Sequence, residues 1–299
     1  MYDLIIIGCG PAGITAGIYA ARKGINFLII TKDIGGQATL SSDIQNYTGF
    51  QFVSGIELAE KFKEHLKNFN IQLNEWEQVT QVQRKNNSII VTSDKREYQA
   101  KSVVIASGRV PRMLGVKGEE EFKNRGVTYC ATCDGPLFKD KDTAVMGGGN
   151  SAFDAAIQLM NIAKKVYIID RADKLIADSI MIEKASKKGN VEILSSTALK
   201  EIYGKELVEG IKIVKDNKQQ DIPVQGVFVE VGADPVSQIA KDVKKNKINE
   251  ICINCKCETN IPGIFAAGDV TDVYSKQIII ACGEGAKAVL ACFEYLVQL

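Results

Sequence analysis

Short apolar runs alternate with a glycine-rich turn and a helix-like segment at the start of this sequence. Residues 2–7 are almost all apolar, residues 14–23 have helical composition and end at a glycine, and residues 26–31 are apolar again. The same order recurs later, with apolar runs at residues 142–146 and 166–169 flanking a glycine turn and a helix-like segment. Each pattern predicts a strand–turn–helix–strand unit of parallel sheet, so the chain contains an internal repeat.

The rest of the chain alternates further helix and strand signals. Ser54 is predicted to cap a helix over residues 55–69, whose apolar side chains recur on one stripe. Short β runs separated by polar turns then predict an antiparallel insertion, and residues 102–106 a buried strand. Beyond the second repeat we expect a helix near residues 178–188, short strands over residues 191–214 and 227–232, an apolar strand ending at Gly268-Asp269, and a final helix from about residue 283 to residue 299.

Length and composition are those of an ordinary globular protein. A chain of 299 residues suggests two domains. We expect the chain to pass from one domain to the other near residues 111–115 and to return near residues 241–248. The net charge of +1 gives no reason to expect a nucleic-acid or membrane partner. Because the first residues contain neither a basic region nor a long apolar stretch, we expect a cytoplasmic protein whose cysteines are mostly reduced thiols.

Both glycine turns have the pattern of a nucleotide-binding site. The first turn reads Gly8-Cys9-Gly10-Pro11-Ala12-Gly13, which is G-x-G-x-x-G between a strand and a helix. Its glycines permit close backbone approach, and the helix N-terminus receives a pyrophosphate. The second strand of this unit ends in Thr31-Lys32-Asp33, without the expected acid for a ribose. The second turn, Gly147-Gly148-Gly149-Asn150-Ser151, favours a second nucleotide site, and here the following strand does end in an acid, Asp170.

Two cysteines stand two residues apart between these repeats. Cys130 and Cys133 are followed directly by Asp134. A C-x-x-C pair is also a metal half-site, but a zinc site needs a second pair at compatible spacing, so redox chemistry is favoured and no metal is expected. A carboxyl beside the pair can supply the proton that thiol–disulfide exchange needs. The pair could instead be two small buried hydrophobic residues, and the group Cys252, Cys255 and Cys257 could be a second redox pair, a metal site or ordinary thiols.

Taken in order, these motifs resemble the low-molecular-weight thioredoxin reductase family over nearly the whole chain. The resemblance rests on the two glycine turns and on Gly35-Gly36-Gln37, Cys130-Ala131-Thr132-Cys133-Asp134-Gly135 and Phe265-Ala266-Ala267-Gly268-Asp269. Residues 126–139 and 276–288 are closest to the flavoprotein component of alkyl hydroperoxide reductase.

The resemblance implies an α/β fold with two Rossmann-like dinucleotide-binding domains in a homodimer. It predicts a discontinuous FAD domain over residues 1–113 and 243–299, and an inserted nicotinamide domain over residues 114–242 that carries the cysteine pair. The expected FAD contacts are Gly8, Gly10, Pro11, Ala12, Gly13, Gly35, Gly36, Gln37, Asn46, Gly108, Gly268, Asp269, Lys276, Gln277 and Ile278. The expected nicotinamide contacts are Gly147, Gly148, Gly149, Asn150, Ser151, Asp170 and Arg171.

The implied activity is thioredoxin-disulfide reductase. Electrons pass from NAD(P)H through FAD to the Cys130–Cys133 disulfide, with Cys133 nearest the flavin, Cys130 attacking the protein substrate and Asp134 as acid and base. NADH is favoured over NADPH, because the residues that hold a 2′-phosphate in NADPH-using relatives are replaced by Asp170, Ala172 and Ile176, and only Arg171 survives. The expected partner is a thioredoxin-like or glutaredoxin-like protein, which could serve a peroxiredoxin. Alternatives are the reductase of a peroxiredoxin system, a ferredoxin-fed thioredoxin reductase and a non-enzymatic flavin-binding module.

Overall fold

The computed structural model describes residues 1–40, 44–129 and 131–299, and for Leu40, Thr132 and Cys133 it describes the backbone alone. The strands are β1 (Tyr2–Cys9), β2 (Phe27–Ile34), β3 (Gln72–Asn74), β4 (Val79–Lys85), β5 (Ser88–Ser93), β6 (Glu97–Ile105), β7 (Arg109–Pro111), β8 (Val127–Thr128), β9 (Asp142–Met146), β10 (Lys165–Ile169), β11 (Val191–Leu194), β12 (Thr197–Gly204), β13 (Val208–Lys215), β14 (Lys218–Ile222), β15 (Gly226–Val229), β16 (Ala233–Pro235) and β17 (Ile264–Ala266). The helices are α1 (Pro11–Arg22), α2 (Gly55–Lys67), α3 (Ala131–Asp134), α4 (Asn150–Leu159), α5 (Ser179–Ser186) and α6 (Ile278–Val297).

The chain folds into two compact units. Unit 1 comprises Met1–Val110 and Asp234–Leu299, and unit 2 comprises Pro111–Ala233. The first crossing is close to the boundary at residue 113 expected from the sequence, whereas the return crossing lies at residue 233 rather than 242. The reason is that Ile239, Ala240 and Val243 are buried in the core of unit 1, and the Ile239 carbonyl accepts a hydrogen bond from the Val82 N–H at 2.7 Å.

Unit 1 is built on a sheet with strand order β3-β2-β1-β6-β5-β4, in which β17 pairs in parallel beside the second half of β6. Successive residues of β1 enter opposite cores. Leu4 and Ile6 pack with α1 and α6, whereas Ile5 and Ile7 pack on the other face. Because both faces are covered, the central residues 4–7 of β1 are all apolar instead of alternating with polar residues. Of the predicted antiparallel insertion, β4 pairs with β5 and β5 with the start of β6, all antiparallel. The first predicted run, at residues 71–73, was wrong in this respect, because β3 pairs in parallel with β2.

Unit 2 repeats this arrangement with a parallel sheet of order β11-β10-β9-β15-β8. Ala144 and Met146 of β9 face a core shared with β12 and β13, whereas Val145 faces α4. A separate antiparallel sheet, β12-β13-β14, thus covers the face that helices leave open.

The last helix, α6, begins at Ile278 and not near residue 283 as the sequence suggested. Its first residues are three consecutive isoleucines, which by themselves favour an extended chain. Tertiary packing overrides that preference, because Ala281, Ala288 and Cys292 are buried in the core that α6 shares with α1. Within the described residues, no helix combines the length and the apolar composition that crossing a bilayer requires.

Candidate active site

The first glycine turn joins β1 to α1 at very close range. Gly8 has φ of +97°, and a Cβ there would lie 2.4 Å from the Ala106 carbonyl oxygen at the end of β6. A Cβ on Gly13 would lie 2.0 Å from the Gly8 carbonyl oxygen. Side chains at these positions would separate strand, turn and helix, so the turn depends on glycine at both.

The N-terminus of α1 is left uncapped. Gly10 is its N-cap and offers no side-chain hydrogen bond, Pro11 follows, and the first turn contains no acidic residue. By contrast, Ser54 caps α2 by accepting a hydrogen bond from the Glu57 N–H at 3.2 Å. Free N–H groups at a helix start, together with its partial positive charge, form a binding site for a phosphate group. The first turn therefore fits the pyrophosphate of a dinucleotide such as FAD.

A second loop of unit 1 lies against the first turn. The Gly35 N–H donates to the Cys9 carbonyl at 2.8 Å, and a Cβ on Gly36 would lie 3.3 Å from the Gly10 Cα. Gln37 follows on a short 3-10 segment, and its amide donates to the Arg109 carbonyl. The structure thus brings these two predicted loops together beside α1.

Residues from the far end of the chain complete this side of unit 1. Gly268 has φ of +76°, and its N–H donates to the Glu284 carboxylate at 2.9 Å. A Cβ on Gly268 would lie 3.0 Å from the Ala12 Cβ, and a Cβ on Gly285 would lie 2.1 Å from the Ala12 carbonyl oxygen. The loop that carries Asp269 and the helix α6 are therefore fixed directly against the first turn of α1.

A charged cluster surrounds Asp269. Glu250 lies 2.9 Å from Lys276 Nζ and 3.8 Å from Arg109 Nη1. Burial alone would raise the pKa of Glu250, but hydrogen bonds from Lys276 and Asn246 and the charges of Lys276 and Arg109 bring it below its usual value. Burial raises the pKa of Asp269, although Lys276 and Arg109 act in the opposite direction. Within the described residues Arg109 Nε is buried without a hydrogen-bond partner, so the cluster retains a donor for a ligand.

Four further predicted FAD residues belong to unit 1. The Asn46 amide donates to the Gln277 side-chain oxygen at 3.0 Å, although 231 positions separate them in the sequence. Ile278 follows as the first residue of α6. Gly108, with φ of +65°, accepts a hydrogen bond from the Val236 N–H at 3.0 Å.

The glycine turn of unit 2 repeats the geometry of the first. Gly147 has φ of +134°, and a Cβ there would lie 2.3 Å from the Glu230 carbonyl oxygen at the end of β15. Gly149 is the N-cap of α4 without a side-chain hydrogen bond, and no acidic residue stands in the first helical turn. Asn150 exchanges hydrogen bonds with Asp178, at 3.0 Å from its side-chain amide and 2.8 Å to its side-chain oxygen. A second uncapped helix start therefore faces the carboxyl edge of a parallel sheet.

Asp170 directly follows β10, and its side chain lies against this turn. Its Oδ2 lies 2.6 Å from where a Cβ on Gly148 would be, and its Oδ1 accepts a hydrogen bond from the Ala172 N–H at 2.6 Å. Arg171 is exposed, and Ile176 lies beside Gly149 with its side chain in solvent. The carboxylate is thus fixed at the turn, whereas the neighbouring cation is not.

The cysteine motif is only partly described. Cys130 and the side chain of Cys133 lie outside the described residues. Asp134 is described, is half-buried and accepts a hydrogen bond from the Thr128 hydroxyl on β8. On the far side of the motif, Phe138 packs edge-on against Phe228 with ring centroids 5.1 Å apart. The segment is therefore anchored to the sheet of unit 2 on both sides of the cysteine pair.

The remaining cysteines do not form a described metal centre. Cys252, Cys255 and Cys257 are free thiols, and burial raises the pKa of Cys257 to about 11. Within the described residues, no three potential ligands of His, Cys, Asp or Glu type come together to hold a metal ion. Cys9 is deeply buried, which raises its pKa to about 12, so it is a packing residue.

Sequence reasoning missed several residues that shape these sites. Thr128, Glu230 and Glu250 received no role, and Glu284 and Gly285 were noted only as part of a motif. Glu284 had one local signal, because it is a carboxylate within an almost wholly apolar helix. The hydrogen bond from Thr128 to Asp134 had no signal beyond proximity in the chain.

Comparison with known proteins decides the family. The family model described as pyridine nucleotide-disulphide oxidoreductase matches residues 2–285. The chain belongs to that family. The predicted α/β fold with Rossmann-like domains is confirmed, and so is the resemblance to low-molecular-weight thioredoxin reductases. The thioredoxin reductase of Lactococcus lactis superposes with a TM-score of 0.94 at 34% identity, covering 100% of both chains.

Two curated relatives are similar over 99% of this chain. One is an NADH dehydrogenase of Ferdinandcohnia aciditolerans, 38% identical over 300 residues, and the other is a component of the alkyl hydroperoxide reductase of Staphylococcus epidermidis, 38% identical over 301 residues. The chain spans only 58% and 59% of the length of these two proteins. Family membership places the chain among the pyridine nucleotide-disulphide oxidoreductases.

Proposed function

We propose that this protein is a flavin-dependent protein-disulfide reductase, which moves electrons from NADH through FAD to the Cys130–Cys133 pair and on to a thioredoxin-like partner. The observation that carries the proposal is the repeated cradle, an uncapped helix start at a glycine turn, present once in each unit. A chain with two dinucleotide sites and a C-x-x-C motif has the parts that such an electron transfer needs.

We assign FAD to unit 1 and the nicotinamide cofactor to unit 2. Only unit 1 supplies the additional loop at Gly35–Gln37 and the cluster around Asp269, which suit the longer flavin half of FAD. When bound, FAD would accept a hydride from the dihydronicotinamide and deliver an electron pair to a disulfide. Each turnover then consumes one NADH, one proton and one disulfide, and yields NAD⁺ and two thiols.

The chain's own residues supply the proton and the exchange chemistry. Cys133 would receive the electrons and Cys130 would attack the partner's disulfide, as in the family that the motif resembles. Asp134 would give a proton to the leaving sulfur and take one from the attacking thiol. The Thr128 hydroxyl holds the Asp134 carboxylate at one oxygen, so the acid is oriented before the partner arrives.

NADH is the preferred donor in this proposal. The carboxylate of Asp170 is held at the glycine turn, where it can accept a hydrogen bond from a free ribose 2′-hydroxyl and would repel a 2′-phosphate. Ile176 stands where the NADPH-using family members have a cation, and of the positions matched to that family only Arg171 keeps a positive charge. The relative named as an NADH dehydrogenase also supports this preference.

The partner class follows from the chemistry of a C-x-x-C reductase. A thioredoxin-like or glutaredoxin-like protein would accept the electrons, and the 38% identity to a component of alkyl hydroperoxide reductase favours service to a peroxiredoxin as the second candidate. A homodimer in the cytoplasm remains part of the proposal. A ferredoxin donor is disfavoured because the glycine turn at Gly147 is intact.

Anaerobic titration of the purified protein tests the proposal. NADH should bleach the flavin absorbance at about two equivalents per flavin, because the Cys130–Cys133 disulfide takes one electron pair and FAD takes the other. NADPH should do so only at much higher concentration, and reduced ferredoxin should have no advantage. A folded protein that cannot take up FAD would remove the whole assignment. Bleaching by reduced ferredoxin alone would move the donor assignment to the ferredoxin class.

A further inference from the structure

Glu230 stands at the point of unit 2 where an open parallel sheet binds its ligand. From β9 the chain passes to β10 and β11 on one side, while β15 and β8 lie on the other. The crevice at such a reversal of strand order opens between the carboxyl ends of the two central strands. Gly147 follows β9 and Glu230 follows β15, and the Glu230 N–H donates to the Met146 carbonyl at 2.8 Å.

The backbone of Glu230 forms one wall of the glycine turn. A Cβ on Gly147 would lie 2.3 Å from the Glu230 carbonyl oxygen. The side chain is half-buried, and none of the described residues makes a hydrogen bond to its carboxyl group. A partly buried carboxyl group without a hydrogen-bond partner loses part of its hydration, and in a ligand crevice the ligand can supply that partner.

The groups around Glu230 keep it uncharged near neutral pH. Burial and then the charge of Asp154 on α4 raise the pKa of Glu230 to about 8. Asp154 itself accepts a hydrogen bond from the Gln158 amide at 2.8 Å. The glycine turn contributes no titratable side chain, and Arg112 lies beside Gly232, with its guanidinium 3.9 Å from where a Cβ on Gly232 would be.

We propose that Glu230 recognises the carboxamide of the nicotinamide, through a pair of hydrogen bonds, when the dinucleotide lies on the turn at Gly147. The inference rests on the assignment of NADH to unit 2. A neutral carboxylic acid offers one O–H donor and one carbonyl acceptor, and a primary carboxamide offers the complementary N–H donor and carbonyl acceptor. An ionised carboxylate can only accept, so it loses one of the two bonds and faces the carboxamide oxygen with like charge.

The pH dependence follows from this pairing. The ligand binds the protonated form of Glu230. The affinity for the nicotinamide ligand is therefore highest below the pKa of Glu230 and falls as the pH rises through that value. With a pKa of about 8, the protonated fraction falls about tenfold between pH 7 and pH 9, which sets the largest expected loss of affinity. A ligand without the nicotinamide should not respond.

Calorimetric binding to the flavin-loaded protein tests the inference. The probe is 1,4,5,6-tetrahydro-NAD, which keeps the carboxamide but cannot reduce the flavin, and the control ligand is ADP-ribose, which lacks the nicotinamide. For the wild type between pH 6 and pH 9, the affinity for the first should fall several-fold above pH 8, and the affinity for the second should stay level.

Two variants separate recognition from a structural role. Glu230→Gln carries the donor and acceptor of the neutral acid, so it should keep the pH 7 affinity and lose the pH dependence. Glu230→Ala should weaken tetrahydro-NAD binding about tenfold at pH 7, as expected for two lost hydrogen bonds of about 0.7 kcal/mol each, and leave ADP-ribose binding unchanged.

The outcomes distinguish this inference from the proposed function. If ADP-ribose binds but tetrahydro-NAD shows a level pH profile, or if Glu230→Gln loses as much affinity as Glu230→Ala, the role of Glu230 is refuted and the nucleotide site stands. If neither ligand binds the wild type, the assignment of the nicotinamide cofactor to unit 2 fails, and this inference fails with it.

Discussion

Substitution by alanine should change the stability of the protein in opposite directions at two glycines of α6 that stand two residues apart. A Cβ on Gly285 would lie 2.1 Å from the Ala12 carbonyl oxygen, about 1.3 Å short of the 3.4 Å at which ordinary contact begins. A Cβ on Gly283 would meet nothing within 4 Å, and this residue is exposed. Gly283→Ala is therefore a matched control for Gly285→Ala in the same helix.

The expected magnitudes follow from these distances. Alanine in place of an unconstrained helical glycine stabilises a protein by about 0.5–1 kcal/mol, so Gly283→Ala should raise the free energy of unfolding by this amount. Overpacking costs about 1–3 kcal/mol, and the upper end applies to Gly285→Ala because a backbone oxygen cannot rotate away. The higher helix propensity of alanine offsets part of this cost, so we expect Gly285→Ala to lower the free energy of unfolding by about 2 kcal/mol.

The clash also displaces the first turn of α1, so FAD should bind more weakly to Gly285→Ala and normally to Gly283→Ala. Urea unfolding of the flavin-free protein, followed by far-ultraviolet circular dichroism, measures the stability. Recovery of flavin fluorescence on dilution measures FAD release. Equal stability and equal FAD retention in both variants would refute the packing of α6 on the glycine turn.

Three further predictions concern the electron path. Cys130→Ser should leave flavin bleaching by NADH intact and abolish turnover of a protein disulfide; full turnover would place the redox centre elsewhere. Asp134→Asn should slow the thiol–disulfide exchange step by about 10²-fold or more and leave FAD binding unchanged. Thr128→Val should slow the same step less. Single-turnover rates equal to those of the wild type would assign the proton transfer to water. Asp170→Asn should narrow the preference for NADH, measured as the ratio of kcat/KM values for NADH and NADPH; an unchanged ratio would remove this carboxylate from cofactor selection.

The central elements of both units could be predicted because the signals are local. The strand β1 is apolar at consecutive positions, since Leu4 and Ile5 enter opposite cores. The glycine turns stand out because Gly8 and Gly147 adopt backbone angles that other residues rarely adopt. Periodicity and glycine spacing therefore predict where each nucleotide cradle begins.

Contacts between distant parts of the chain could not be predicted in this way. Glu250 and Lys276 form an ion pair although they are far apart in the sequence, and the residues next to each of them do not indicate its partner. The return crossing at residue 233 was misplaced because burial of Ile239 and Val243 in unit 1 depends on tertiary packing. The start of α6 was misplaced because packing against α1 outweighs the extended preference of its isoleucines.

The repetition of the glycine turn has a consequence for competition between ligands. FAD and NADH share an ADP half, and on the proposed assignment both turns bind that same half, so neither turn can tell the two cofactors apart. Any difference between the two sites must come from residues outside the glycine turns themselves. Thr31 and Asp170 occupy equivalent places, because Ile30 pairs with Ile7 just before the first turn and Ile169 with Met146 just before the second. Free ADP should therefore slow both flavin loading and NADH oxidation. Thr31 within β2 and Asp170 directly after β10 decide which of the two sites ADP inhibits more.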